Sequence, residues 1–210
     1  MNFEEKEFRI VLTEPMLGTV PKNREVYSSY IASKVPPKEV NTGIKEEEIE
    51  TVQEIEESGW TGFHSDEDGI FIYNYMVKGS LKSCLENLMA GTAVNKIPAY
   101  KKWMDRFVFV KPRRIRFYRD ISGSESILLE PDSVMERPIR MMTTKGERTS
   151  VCRSDIVEAG VMLKFSLIVF QNDKKITMPV LEQCLEYGSV YGLGQWRGSG
   201  GYGTFEVVVK

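Results

Sequence analysis

The chain reads as an α+β protein in which an antiparallel sheet carries helices on one face. Three observations point there. From residue 148 onward the elements run strand, strand, helix, glycine-rich loop, strand, an order that folds back on itself as an antiparallel sheet. Met162 to Phe170 is strongly apolar on alternate positions, and Glu7 to Thr13 alternates polar with β-branched residues. Leu81, Cys84, Leu85 and Leu88 fall on one face of a helix that such a sheet can bury. The packing expected is a sandwich of ferredoxin-like kind.

Taken in order, Glu7–Thr13 predicts a strand, broken by Pro15, Gly18 and Pro21. Residues 23–34 have helical spacing at Val26, Tyr27, Tyr30 and Ile31, and Pro36-Pro37 and Asn41-Thr42-Gly43 mark a loop. Ile44, Ile49, Val52 and Ile55 form one apolar stripe along an acidic helix. Together these make an acidic helical insertion near 22–58. Trp60–His64 and Ile70–Tyr73 predict a hairpin across Ser65-Asp66-Glu67-Asp68-Gly69. Lys78-Gly79-Ser80-Leu81-Lys82 then predicts a helix start with Ser80 as N-cap, running through Met89. Residues 98–104 suit a helical turn. Arg106–Val110 and Ile115–Tyr118 read as strands joined by Lys111-Pro112-Arg113-Arg114, and 120–134 as loop. Ile139–Thr143 and Arg148–Arg153 pair across Lys145-Gly146. Asn172-Asp173-Lys174-Lys175 is a turn, Pro179–Tyr187 a helix, and Thr204–Val209 the closing strand.

A chain of 210 residues can bury a substantial core, and a single domain over 1–210 is expected. No apolar run approaches the roughly 20 residues that span a bilayer, and the acidic N-terminus is unlike a signal peptide. A cytoplasmic protein without a membrane partner follows. Cys84, Cys152 and Cys184 are distant and odd in number, which argues against a disulfide framework and a zinc site. No metal and no cofactor are expected. The net charge of −2 hides a strong polarity: residues 45–68 are acidic apart from Lys45, and residues 101–119 are basic apart from Asp105. Such a chain can present a positive face despite its average, unless the two runs pair with each other.

Six of the twelve residues from 192 to 203 are glycine, yet Trp196, Arg197 and Tyr202 stand among them. A linker needs neither large rings nor a guanidinium. Rings offer stacking faces and arginine a fork for phosphate, so nucleic acid is the first candidate ligand.

Two sets of segments resemble known proteins. The strand–helix–(GLGQWRGSGGYG)–strand end resembles the glycine-rich signature of the RAMP superfamily, the repeat-associated RNA-binding subunits of CRISPR effector complexes. Glu158-Ala159-Gly160-Val161-Met162-Leu163-Lys164-Phe165 resembles its lead-in, and Val77-Lys78-Gly79-Ser80-Leu81-Lys82-Ser83 a segment where a helix starts in many of these subunits. The matches span residues 70–209. Leu12–Thr19, Tyr100-Lys101-Lys102 and Phe107–Ile115 are similar to an uncharacterised protein of phages and prophages. The resemblance implies one or two RNA-recognition-type βαββαβ units with insertions, in a solitary phage-encoded member acting in the host cytoplasm. It implies single-stranded RNA or DNA as partner, with self-association along the strand or contact with CRISPR-type subunits. The sequence departs from the RNA-recognition motif in lacking its Lys/Arg-Gly-Phe-x-Phe aromatic strand.

Among single residues, His64 is the only histidine and so the one candidate general base for ribonuclease chemistry. Its acidic neighbours are expected to raise its pKa, and the plain alternative is a surface hairpin residue. Asp66, Glu67 and Asp68 suit a hard cation chemically but lack calcium-loop spacing. Asp120 is a candidate for RNA cleavage by position alone. Lys111, Arg113, Arg114 and Arg116 surround Pro112 and alternate with Ile115 and Phe117, giving a cationic strand face; the alternative is a basic guard on a sheet edge. Lys78 and Lys82 flank the expected helix start and its phosphate-binding amides, or belong to a solvated first turn. Arg197 is placed to hold phosphate, with Trp196 and Tyr202 stacking on bases or on their own loop.

The function expected is non-catalytic binding of single-stranded RNA or DNA. The other classes are a RAMP-type endoribonuclease using His64, and a phage protein that mimics a CRISPR subunit and binds host effector proteins through the acidic segment.

Overall fold

The computed structural model describes residues 2–22, 60–91, 93–121, 123–143, 146–173 and 175–208. The helix expected over 23–34 and the acidic insertion near 22–58 lie outside the described residues, apart from the flanking Lys22. The first strands are β1 (Phe3–Leu12), β2 (Met16–Leu17), β3 (Val20–Pro21), β4 (Trp60–Gly62), β5 (His64–Asp66) and β6 (Gly69–Tyr73). Helices α1 (Asn74–Ala90) and α2 (Tyr100–Phe107) follow, then β7 (Val108–Lys111), β8 (Arg114–Ile121) and β9 (Ser124–Ile127). The hairpin β10 (Ser133–Thr143) and β11 (Gly146–Val157) leads to β12 (Met162–Phe170), α3 (Met178–Tyr191) and β13 (Phe205–Val208).

Alternation in β1 sends Phe8, Ile10 and Leu12 into the core and leaves Glu5, Glu7 and Arg9 on the other face. Around it the sheet runs β13-β1-β12, and β12 pairs in turn with both β7 and β8, all antiparallel. Taking β7 and β8 as one interrupted strand, the order is fourth, first, third, second, and α1 and α3 are the two crossovers. That is the ferredoxin-like arrangement of an α+β fold. Val77, Leu81, Cys84 and Leu85 of α1 meet Met178, Leu181, Cys184 and Leu185 of α3 in the core below the sheet. The interruption falls at Pro112, which has no N–H for a ladder. There the strand leaves β12, and β8 pairs Arg114, Ile115 and Arg116 with Tyr73, Ile72 and Phe71 of β6. The hairpin β5–β6 extends the sheet at this edge.

A second sheet, β10-β11-β4-β3 with β2 also on β11, is assembled from the β1–α1 connection and the long hairpin. The segment 192–204 joins the two sheets. Gly203 N–H donates to the Pro15 carbonyl (2.8 Å) and Leu193 N–H to the Gly203 carbonyl (2.8 Å). Gln195 Oε1 accepts from Thr61 Oγ1 (3.3 Å) and Ser154 Oγ (3.2 Å) in the second sheet. Beside them buried Asp155 accepts from Lys22 Nζ (2.9 Å) and Trp60 Nε1 (2.9 Å). A Cβ on Gly203, which has φ +69°, would lie 1.9 Å from the Leu193 carbonyl oxygen.

Several expectations need correction. The first helix begins at Asn74, not at Lys78, and Ser80 is buried within it rather than capping it. Tyr73 ends β6 and opens the helix at once, so Met76 and Val77 are already helical. The polar stretch 120–134 contains β9, and the hairpin strands reach from Ser133 to Val157. Trp60–Gly62 belongs to the second sheet, so only β5 and β6 form the predicted hairpin. His64 is not a surface residue: it is 7% exposed, its ring 4.5 Å from that of Tyr73 and 5.6 Å from that of Phe71. Burial lowers its pKa, the reverse of the expectation from its acidic neighbours, because the desolvated imidazole resists charging.

Two measurements test this account. Gly203→Ala forces a Cβ onto a carbonyl at positive φ and is expected to cost about 2–4 kcal/mol in urea unfolding. Gly201→Ala, also at positive φ but with open space, is expected to cost only about 1 kcal/mol. A histidine whose pKa is lowered on folding is protonated preferentially in the unfolded chain. Stability should therefore fall as pH drops below about 6.5, and His64→Phe should flatten that part of the profile.

Candidate nucleic-acid interface

The basic stretch after α2 is sorted by its partners. Arg116, only 13% exposed, donates to Asp66 Oδ1 (2.5 Å) and Oδ2 (2.8 Å), to Asp68 Oδ2 (3.0 Å) and to the Gly69 carbonyl (3.0 Å). The Arg116 hydrogen bond holds Asp66 well below the usual carboxylate range, at about 2. Arg114 donates to the same carboxylate (2.6 Å). The Asp-Glu-Asp turn therefore faces two guanidinium groups. Part of the acidic and basic polarity is thus spent within the fold, across the β6–β8 ladder. Lys78 and Lys82 sit in the interior of α1, away from its N-terminal amides, and both reach Asp105 at 3.6 and 2.6 Å. Asp120 Oδ1 accepts from Gly123 N–H (2.8 Å) in the β8–β9 turn.

Lys111 and Arg113, on either side of Pro112, are exposed and have no carboxylate partner among the described residues. The Arg113 guanidinium lies 5.7 Å from the centroid of Tyr73. Tyr73 in turn stacks on Tyr75 (5.6 Å, 21° between planes), the exposed residue in the first turn of α1. Tyr75 lines a cleft of about 580 Å³ between α1, the β1–β3 connection and the glycine-rich loop. Trp196 and Arg197 form its opposite wall, with Gly79 and Ser80 on the floor provided by α1. Gly79 matters here, since nothing lies within 4 Å of where its Cβ would be, leaving space at the helix.

The loop geometry orients these side chains. Trp196 takes φ 55°, and its ring is flanked by Tyr202 (6.3 Å, edge-on) and by the Arg137 guanidinium of β10 at 4.4 Å. Tyr202 donates its hydroxyl to Met135 Sδ (3.2 Å), so it anchors the loop to the hairpin and supports Trp196 from behind. Arg197 lies 5.5 Å from the Tyr191 ring. Cations and rings thus succeed one another along one line, from Arg113 through Tyr73 and Tyr75 and across the cleft to Arg197, Trp196 and Arg137. Of the nine residues singled out from sequence, Arg113, Trp196 and Arg197 stand on this line, with Lys111 adjoining and Tyr202 behind it. Arg114 and Arg116 point to Asp66, and Lys78 and Lys82 to Asp105. Tyr73, Tyr75 and Arg137 were missed, because only the β6–β8 register and the fold of the hairpin bring them to the loop.

No protein-family model matches the sequence, and no curated protein does. Among solved structures the chain is similar to one described as the cryo-EM structure of the Type III-B Cmr-beta bound to cognate target RNA. The two are 12% identical with a TM-score of 0.46, over 98% of this chain and 59% of the other. The chain therefore spans about 59% of that chain's length, and a likeness this distant carries no argument about function. The fold class rests on the strand order itself.

Proposed function

We propose that this chain is a RAMP-like protein that binds single-stranded RNA or DNA without doing chemistry on it. The line of cations and rings from Arg113 to Arg137 carries the reading. Single strands are held by cations that follow the phosphates and by aromatic faces that accept any base, and here both are supplied side by side. The cleft beside Gly79 gives one nucleotide room to leave the stack. A non-catalytic role is supported by His64, whose imidazole is buried between strands and packed against Phe71 and Tyr73. Self-association along the strand belongs to the same proposal, as the resemblance implies.

The electrostatics set a number. Along the line Lys111, Arg113, Arg137 and Arg197 have no carboxylate partner among the described residues. Four contacts at about 0.7 each predict that log K falls with log salt with a slope of about −3. Had all the basic residues of 101–119 taken part, the slope would be nearly twice as steep. Titration of labelled single-stranded RNA and DNA from about 50 mM salt upward measures it. Arg113→Ala and Arg197→Ala should each weaken binding and make the slope shallower by about 0.7, whereas His64→Phe should change neither. Failure of the parent protein to bind either oligonucleotide at the lowest salt would sink the proposal.

A further inference from the structure

The face of the large sheet turned away from α1 and α3 carries a cluster of rings that the interface above does not use. Phe3 of β1 stands opposite Phe170 of β12, and Phe109 of β7 stands opposite Ile168, one pleat along. Residues in register share a face, and the partner face holds Phe8, Ile10, Leu163, Phe165 and Leu167 in the core. Phe170 is wedged between the other two, its ring 5.6 Å from Phe3 at 48° and 5.6 Å from Phe109 at 83°. Phe3 is 57% exposed and Phe109 44% exposed. Three adjoining strands thus hold large rings in water, where folding alone gains little from them.

The charges around the rings identify what fits. On the β7 side Lys78 Nζ lies 5.3 Å from the Phe109 centroid, and exposed Lys111 stands two residues further along the same strand face. On the β1 side Glu5 and Glu7 share the ring face, opposite Ile168 and Ser166. A groove of about 510 Å³ lined by Glu5, Glu7, Arg9, Lys111, Pro112 and Lys164 adjoins them. An apolar protein surface laid over this face would strip water from Glu5, Glu7 and Lys111 at a cost no apolar contact repays. A flat base covers the rings and leaves those charges at the rim in water. The glutamates repel phosphates from β1, and Lys111, which has no carboxylate partner among the described residues, draws them to β7, since Lys78 is held by Asp105.

We propose that Phe3, Phe109 and Phe170 form a platform on which two unstacked bases of a single strand lie, with the backbone running along β7 past Lys111. Sheets that stack bases on exposed aromatic rings are an established mode of single-strand recognition, and here the rings sit on other residues than the motif searched for in sequence. The inference rests on the proposed single-strand binding, and the test separates the two.

Two probes of equal length are titrated, a labelled single-stranded oligonucleotide and its abasic counterpart. They are compared on the parent protein, on Phe3→Leu/Phe109→Leu and on Phe3→Ala/Phe109→Ala, with thermal melting to confirm each fold. Leucine keeps an apolar surface but offers no stacking face. The expected result is roughly a tenfold or greater loss of affinity for the base-bearing strand in both variants, with no change for the abasic strand or in salt slope. Parent-like binding by the leucine variant, while Arg113→Ala remains weak, overturns the platform and leaves the functional proposal standing. Equal loss for both probes overturns the platform too, since stacking needs a base. Loss of self-association on sedimentation with intact oligonucleotide binding assigns the rings to a protein contact and likewise overturns it. A parent protein that binds neither probe overturns both proposals.

Discussion

The closure of the glycine-rich loop on the β1–β2 connection is the constraint from which the rest of the architecture follows. Pro15 and Gly203 are brought together by one backbone hydrogen bond, and Gly203 in turn accepts from Leu193. Gly192 makes the same demand, for its Cβ would lie 2.2 Å from the Tyr202 carbonyl oxygen. Because two backbones touch here with no side chain between them, the last strand of the ferredoxin-like sheet is locked to the first strands of the second sheet. The same closure leaves Trp196 at positive φ and turns it, with Arg197, toward α1. Packing and presentation are therefore one event. A loop that merely joined α3 to β13 would need fewer glycines, and a loop that merely bound ligand would not need its amides aimed at Pro15.

Electrostatics divides the cations in a way that net charge hides. Arg116 is nearly buried, and a buried guanidinium without a carboxylate is costly, so Asp66 and Asp68 are required where they stand. Lys78 and Lys82 share Asp105 and hold α1 against α2. Among the described residues, what remains exposed without a carboxylate near the loop is a short set on β7, on β10, in the loop and at the bend after Pro112. A small set of cations beside exposed rings favours a ligand that is held by stacking as much as by charge.

How much of this was legible depended on how local the cause was. Met162–Phe170 was read to the residue because a central strand with one face wholly in the core writes its alternation into nine consecutive positions. The ferredoxin-like order was legible from the succession of elements. The start of α1 was not: Tyr73-Asn74-Tyr75-Met76 is aromatic-rich and reads as extended, and only the tertiary contact of Asn74 Nδ2 with the Val110 carbonyl (2.8 Å) shows the chain turning into a helix. The strands β2, β3 and β4 are two or three residues long, with pairings set by distant partners such as Asp155, so no local period announces them. In the same way the Arg116–Asp66 pair joins residues 50 apart, and a run of like charge in sequence says nothing of how much is neutralised in space. The loop's rings were legible as chemistry; Tyr73, Tyr75 and Arg137 were not, because they reach the line only through register.

The two ring systems are joined along the chain. Phe109 and Lys111 lie two residues apart on one face of β7, Pro112 then bends the chain, and Arg113 beyond it rests on Tyr73. At about 3.3 Å per residue, Phe109 to Arg113 is at most on the order of 13 Å, less for the bend at Pro112, and about two extended nucleotides cover it. A strand whose bases stack on the platform would therefore deliver its phosphates past Lys111 to Arg113, and its next bases to Tyr73 and Tyr75. From Tyr75 the cleft wall continues to Arg197 and Trp196. The break in the second strand of the sheet is what makes this geometry possible. Before it Val108–Lys111 pair with β12, and after it Arg114, Ile115 and Arg116 pair with β6, which sets Arg113 beside Tyr73. Pro112, which forbids the ladder at that point, is thus the residue that connects the open sheet face to the loop.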